Sequence, residues 1–401
     1  MRILFVSRCL PLPRHYGDRL ILFHLLRGLR AHGHHCSVVA LAQPSDDETV
    51  RAAGAALADV LEVVPERRRS PLAYLARAVA PFPDRASRTW HPEMWNAVAR
   101  LAGGSGCDVV HFLGGVPVYE HRDAAPALPR VIQPYESYTW WLTRAIGEAE
   151  TPVARWSLRL KRRIARRFER QIYVGFDRVL LNAGPDERCL KSLAPELRTA
   201  VIPQGVDVPE AIVPVAQRPG SNMVFVGNFS YGPNVHAALR LVNEILPRVR
   251  ERVPGATVSL VGADPSPSLR RLAGAGVEVT GTVPDVLPWL TRARVFVSPL
   301  TTGAGMKNKV LEAMASGTPV VATPLSCDGI DLSPGEHALV ARSSEDLAEA
   351  ACRVLTQDKL GGDLSRSASR LVEARYRWTT VIGRYEALYA ELAAAGTGAP
   401  T

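Results

Sequence analysis

The chain has 401 residues, 47% of them apolar and 22% charged, and its 48 Lys and Arg against 39 Asp and Glu give a formal net charge of +9. That length exceeds one ordinary core and divides naturally into two domains of roughly 150–200 residues. The composition excludes a disordered or collagen-like chain, and no apolar run approaches the ~20 residues of a membrane span.

The first residues, Met1 to Ser7, read as a strand met at once by Pro and Arg, not as a secretory signal. A helix is predicted from Asp18 to about Ala31, capped by Asp18 and closed by Gly33, with Ile21, Leu22, Leu25, Leu26 and Leu29 at helical spacing. Strands are predicted at 3–6, 36–41, 108–113, 131–132 and 178–181. A Pro/Gly break near Val201-Ile202-Pro203-Gln204-Gly205 is the best domain boundary, giving domains of 1–205 and 206–378. The pattern restarts with strands at 223–226, 257–261, 277–280, 295–298 and 320–322, and a helix at 234–250. A last helix, about 379–395, could pack on either domain. Strands alternating with helices argue for an α/β fold of two doubly wound parallel sheets, with the ligand at the carboxyl ends of the strands.

The most informative segment is Gly303 to Thr323, GAGMKNKVLEAMASGTPVVAT. A strand runs through a glycine turn into a helix expected to open at about Met306. Gly303 and Gly305 let backbone amides approach an anion at the helix N-terminus. Lys309 and Glu312, three apart, share one face. Alone they are an ordinary surface ion pair. Behind glycines and before a strand they suit a ribose diphosphate, with Lys for charge and Glu for sugar hydroxyls.

Several further pieces have bland readings. Six scattered cysteines (9, 36, 107, 189, 327 and 352) form no C-x-x-C pair, as expected of reduced thiols in a cytoplasmic protein. His32, His34 and His35 lack nearby carboxylates and read as structural rather than metal-binding. His111, in an apolar run, reads as a core histidine. The stretch Arg155–Arg170 is strongly cationic, with Trp156, Leu160, Ile164, Phe168 and Ile172 recurring every fourth residue. Its simplest reading is a stripe packed on the protein's own sheet. The alternative is peripheral contact with the inner membrane face. Stacking aromatics are missing, so no nucleic acid is expected. Neither G-x-G-x-x-G after the first strand nor G-x-S-x-G occurs. The acidic pair Asp46-Asp47 sits in a polar loop, so metal-independent chemistry is expected.

Taken in order, these pieces resemble glycosyltransferase family 4, or glycosyl transferases group 1, of the GT-B fold, in which two Rossmann-like domains face each other across a cleft. They are Gly17-Asp18-Arg19, Asp108-Val109-Val110-His111, Val201 to Asp207, Phe225-Val226-Gly227-Asn228, Gly281 to Asp285 and Lys309 to Val321. The resemblance implies retaining transfer of a hexose-type sugar from a UDP- or GDP-sugar to a hydroxyl of a small-molecule, glycan or lipid-linked acceptor. The nucleotide sugar is a co-substrate, and no cofactor is implied. Lys309 would neutralise the diphosphate, with Lys307 a weaker candidate, and Glu312 would take the ribose. Gly227, Asn228, Gly303, Gly305 and Met306 would line the donor, Val283 would face the base, and Gly17 would let the N-terminal loop approach. Where the family has a first motif glutamate this chain has Ala304, and the basic residues usual after Gly227 are missing. Where many relatives carry a catalytic His, this chain has Glu136, the ionisable group best placed to act on the acceptor hydroxyl. These departures leave open a non-catalytic sugar-nucleotide-binding subunit, and the fold also hosts epimerases. Ala/Arg/Leu richness suggests a GC-rich bacterial genome.

Overall fold

The computed structural model describes the chain apart from residues 14–16, 44, 45, 68, 69, 71–82, 105, 115, 150, 304 and 398–401. Ala304 therefore lies outside the described residues. The chain forms two compact units: Met1–Pro203 with Val381–Thr401, and Gln204–Thr380.

The first unit is built on seven parallel strands: β1 (Arg2–Ser7), β2 (His35–Ala42), β3 (Val60–Pro65), β4 (Val109–Leu113), β5 (Arg130–Tyr135), β6 (Arg178–Leu181) and β7 (Thr199–Val201). Their spatial order is β3-β2-β1-β4-β5-β6-β7. Helices on both faces explain why β1 and β4 read as unbroken apolar runs: Ile3 to Val6 and all of β4 are buried. The edge strands β3 and β7 carry no such signal, because only Val64 of their nine residues is buried.

The second unit repeats the plan with six parallel strands: β8 (Ser221–Val226), β9 (Ala256–Val261), β10 (Val277–Val279), β11 (Val295–Ser298), β12 (Val320–Ala322) and β13 (Leu339–Val340). The order is β10-β9-β8-β11-β12-β13. The predicted helix 234–250 is in fact Gly232–Arg240 and Leu246–Arg252, joined by a π-turn at Leu241–Ile245. The ends of this unit meet: Val206 N donates to Tyr376 O at 2.7 Å, and Val206 bridges Arg377. Arg218, in the Pro-rich stretch, is buried and holds the unit's base. Its guanidinium donates to the carbonyls of Val213, Leu290, Ala293, Ser316 and Gly317 and to Thr318 Oγ1.

The last helix, Trp378–Thr397, serves the first unit from Val381 onward. Gly28 admits it: a Cβ there would lie 2.7 Å from Ile382 Cγ1. Its Tyr389 hydroxyl sits 2.7 Å from Nδ1 of buried His111, and Tyr385 exchanges hydrogen bonds with Gln133. Burial alone lowers His111 to about 3, so its ring is neutral. Tyr389→Phe removes the partner of a fully buried ring nitrogen and is expected to cost about 1–2 kcal/mol. Urea unfolding checks this, and an unchanged midpoint would refute it.

Three sequence readings need correction. Asp18 does not cap its helix, which begins at Gly17; it pairs with Arg8 at 2.7 Å. His32 and His34 do meet a carboxylate, Glu386, which each reaches at 2.8 Å from 352 or more residues away in sequence. Asp46 is not a loop solvent group: it is buried and paired with Arg19 at 2.9 Å, while Asp47 caps the helix Glu48–Ala55. Among the described residues no cluster suits a metal, and no helix is long and apolar enough to cross a membrane.

Candidate functional site

In the second unit the chain goes from β8 outward to β9 and β10, then returns to place β11 on the other side of β8. Loops leaving β8 and β11 diverge there, opening a crevice at the carboxyl ends of the strands, the usual ligand position in a doubly wound sheet. Gly227 and Asn228 leave β8, and the segment from Gly303 to Glu312 follows β11.

Lys309 joins these two loops. Its Nζ donates to Asn234 Oδ1 at 2.5 Å and lies 4.7 Å from the centroid of Phe225. Asn234 in turn donates through Nδ2 to Asn228 O at 2.7 Å. Gly227 makes room: a Cβ there would fall 3.0 Å from Asn234 and 3.1 Å from Lys309 Nζ. Gly262 after β9 is equally constrained, since its Cβ would meet Gly227 O at 2.0 Å. Gly303 has φ +114, and a side chain there would approach the Tyr231 hydroxyl at 3.3 Å. The glycines therefore permit close backbone approach instead of simply loosening the chain.

The helix begins at Asn308 and runs to Ala315, two residues later than predicted. Met306 and Lys307 precede it, because Lys307 has non-helical dihedrals (φ −99, ψ 86). Lys307 is buried and donates to Gly305 O at 2.6 Å. Lys309 thus stands in the first helical turn, where N–H groups and the helix dipole favour an anion. Glu312 lies one turn on, half-buried.

Electrostatics favour a negative ligand. Burial drives the Lys309 ammonium down to about 7, Lys307 adds repulsion in the same direction, and Glu312 opposes it. Among the described residues no carboxylate forms an ion pair with Lys309; its partner is a neutral amide. An incoming phosphate would supply the missing countercharge. Burial raises the Glu312 carboxyl; Lys309 lowers it, while Asp285 and Asp207 raise it again. Asp285 brings the loop of Val283, itself half-buried against the core, towards the same region.

Gly17 and Glu136 belong to the first unit. Gly17 opens the helix Gly17–Ala31 after β1, exposed to solvent. Glu136 follows β5 directly behind Tyr135, which holds a positive φ of 68°. The structure thus gathers Gly227, Asn228, Gly303, Lys309 and Glu312 around one crevice, with Gly305, Met306 and Lys307 in the loop before the helix. Asn234 and Phe225 were not foreseen: an amide 75 residues from its lysine carries no local pattern.

A family model described as "Glycosyltransferase Family 4" matches residues 20–210, and one described as "Glycosyl transferases group 1" matches residues 220–357. A phosphatidyl-myo-inositol mannosyltransferase of Mycobacterium leprae is 29% identical over 208 residues, 49% of this chain and 54% of that protein. A GDP-mannose-dependent alpha-(1-6)-phosphatidylinositol monomannoside mannosyltransferase of Mycobacterium tuberculosis is 32% identical over 155 residues, 35% of this chain and 40% of that one. The match therefore spans about half the length of these curated relatives. Among solved structures, sucrose-phosphate synthase from Thermosynechococcus elongatus superposes with a TM-score of 0.68 at 19% identity, covering 98% of this chain and 99% of that one.

Proposed function

The chain belongs to glycosyltransferase family 4, the group 1 glycosyl transferases, with the GT-B fold, and on that premise we propose that it moves a hexose from a nucleoside diphosphate sugar to a hydroxyl of a lipid-linked or glycan acceptor. The observation that carries the reading is Lys309: a part-buried ammonium held by an amide, facing a glycine-lined space at the switch point of the second sheet. In this reading the diphosphate lies against Lys309 and the first turn of its helix, and Glu312 accepts hydrogen bonds from the ribose. Negative charge grows on the diphosphate as the glycosidic bond breaks, and a positioned cation stabilises that state more than the ground state. Glu136 is assigned to the acceptor hydroxyl. Transfer is taken as retaining, as the family resemblance implies, and as metal-independent, since the adjacent acidic pair Asp46-Asp47 does not suit a D-x-D type site for a metal-bound nucleotide sugar. The relatives' names favour GDP-mannose as donor and a phosphoinositide as acceptor, which would bring the protein to a membrane surface through the basic helix described below.

The test is a thermal-shift panel of GDP- and UDP-sugars, followed by transfer assays with phosphatidylinositol vesicles. One donor should raise Tm by mass action, and the wild type should turn over. Glu312→Ala should lower kcat/KM about 10–150-fold, the effect of losing a charged hydrogen bond of about 1.5–3 kcal/mol. A Tm shift without turnover in the wild type would mark a binding subunit instead. No shift with any sugar nucleotide would remove the reading altogether.

A further inference from the structure

The helix Pro152–Tyr173 turns its Ala165, Glu169, Ile172 and Tyr173 inward. The stripe seen in the sequence does not pack as one face: a four-residue step advances about 400° around a helix and so drifts about 40° each time. Ile172 is therefore buried, whereas Trp156 and Leu160 are 66% and 48% exposed. The line that stays in solvent is Trp156, Leu160, Arg163, Arg167, Arg170 and, just past the helix, Val174, at alternating four- and three-residue steps. Val153, 77% exposed, extends its apolar end.

The charge on this face is unbalanced. Eight Lys and Arg lie between Arg155 and Arg170, with one acid, Glu169. Glu169 points inward and accepts from Ser137 Oγ and from the backbone N–H groups of Tyr138 and Thr139. Among the described residues no carboxylate forms an ion pair with Arg163, Arg166, Arg167 or Arg170. An ordinary solvent-facing helix would interleave acids at i,i+4 spacing. Two hollows border the helix. One, of about 430 Å³, is lined by Arg162, Arg166 and Arg188 with the hydroxyls of Thr143 and Ser192. The other, of about 500 Å³, is lined by Arg166, Arg167 and Arg170, with Glu196 as its one acid. On the neighbouring helix Tyr138–Glu148, Tyr138 is 50% exposed and stacks on Trp141 at 5.6 Å.

We propose that this face is a docking surface for an anionic phospholipid bilayer. Trp156, Leu160 and Val153 enter the interface, and the arginine-lined hollows receive lipid phosphates. Arg pairs with phosphate in a bidentate fork, and Trp sits at the boundary between headgroups and acyl chains. Exposed valine and leucine among the arginines fit acyl chains and give a nucleic acid nothing to bind. The assignment deepens the proposed membrane-borne acceptor but is carried by the surface itself.

Sedimentation of the full chain with vesicles tests it. Wild type should bind phosphatidylcholine vesicles containing 30% phosphatidylglycerol or phosphatidylinositol, and pure phosphatidylcholine at least tenfold less. Binding should weaken with added salt. R163E/R167E/R170E should reduce binding at least 100-fold, since each cation near an anionic surface is worth about fivefold. W156S/L160S should reduce it about tenfold at unchanged charge. Equal affinity for neutral vesicles, no binding to anionic ones, wild-type binding by the triple variant, or complete displacement by a single-stranded oligonucleotide would each overturn the proposal. The salt series needs no variant, so it stands if one misfolds. Donor-induced Tm shifts in the same variants should match wild type. Vesicle binding without any donor shift in the wild type would defeat the enzymatic reading and leave the docking surface standing.

Discussion

Lys309→Met is expected to lower kcat/KM by about 10²–10³-fold and donor affinity by about 10–100-fold, with the fold retained. The methionine keeps an apolar side chain of similar length and removes the ammonium, together with its donation to Asn234 and its contact with the Phe225 ring. The size follows from the loss of a desolvated, preorganised donor to developing negative charge. A pH dependence accompanies it. Burial lowers the folded Lys309 to about 7, while the unfolded side chain titrates near its ordinary value of about 10.4. Between these values the unfolded chain binds more protons, so without ligand stability rises with pH across that window. Donor binding runs the opposite way, because a diphosphate selects the protonated amine. Its affinity should fall as pH climbs above about 7, and the slope should vanish in Lys309→Met. Calorimetric titration of donor at pH 6.5 and 8.5 decides the matter; equal affinities at both would show that Lys309 does not hold the diphosphate.

Arg218→Met should be the most damaging single change to the second unit, at about 3–5 kcal/mol. Arg218 is 3% exposed, and its guanidinium sits among five backbone carbonyls and the Thr318 hydroxyl. Removing it strands buried acceptors from segments 72 to 100 residues away in sequence. Arg218→Lys should rescue only partly, since a point charge cannot reproduce a planar fork with five donors. Thermal unfolding should show a drop of about 10 °C for the methionine variant. A loss under about 1 kcal/mol would mean that the network is dispensable.

The two doubly wound sheets were legible where strands are buried on both faces. Phe5, Phe112, Phe225 and Phe296 all lie in such runs, and their neighbours are β-branched. The edge strands β3 and β13 were not legible, because β3 has one buried residue among half-exposed or exposed ones and β13 is only two residues long. Lys309 and Glu312 stood out because glycines precede them and an apolar strand follows. Asn234 and Arg218 could not stand out: their roles depend on partners brought together only by the fold, and Arg218 lies shortly after the Pro/Gly break read as the domain boundary. The start of the Lys309 helix was missed because Met306 and Lys307 are good helix formers overridden by the glycine turn before them. The basic stretch misled for a geometric reason, the slow rotation of four-residue spacing around a helix.

The first unit borrows its final helix from beyond the second, and this bears on biosynthesis. During translation the 204–380 portion, whose own ends meet at Val206 and Tyr376, has everything it needs as soon as it emerges from the ribosome. The amino-terminal sheet must instead wait, with His111 and Gln133 lacking Tyr389 and Tyr385, until the chain past Val381 has been made. A recombinant fragment cut at Pro203 would inherit that gap permanently, whereas one spanning 204–380 would not.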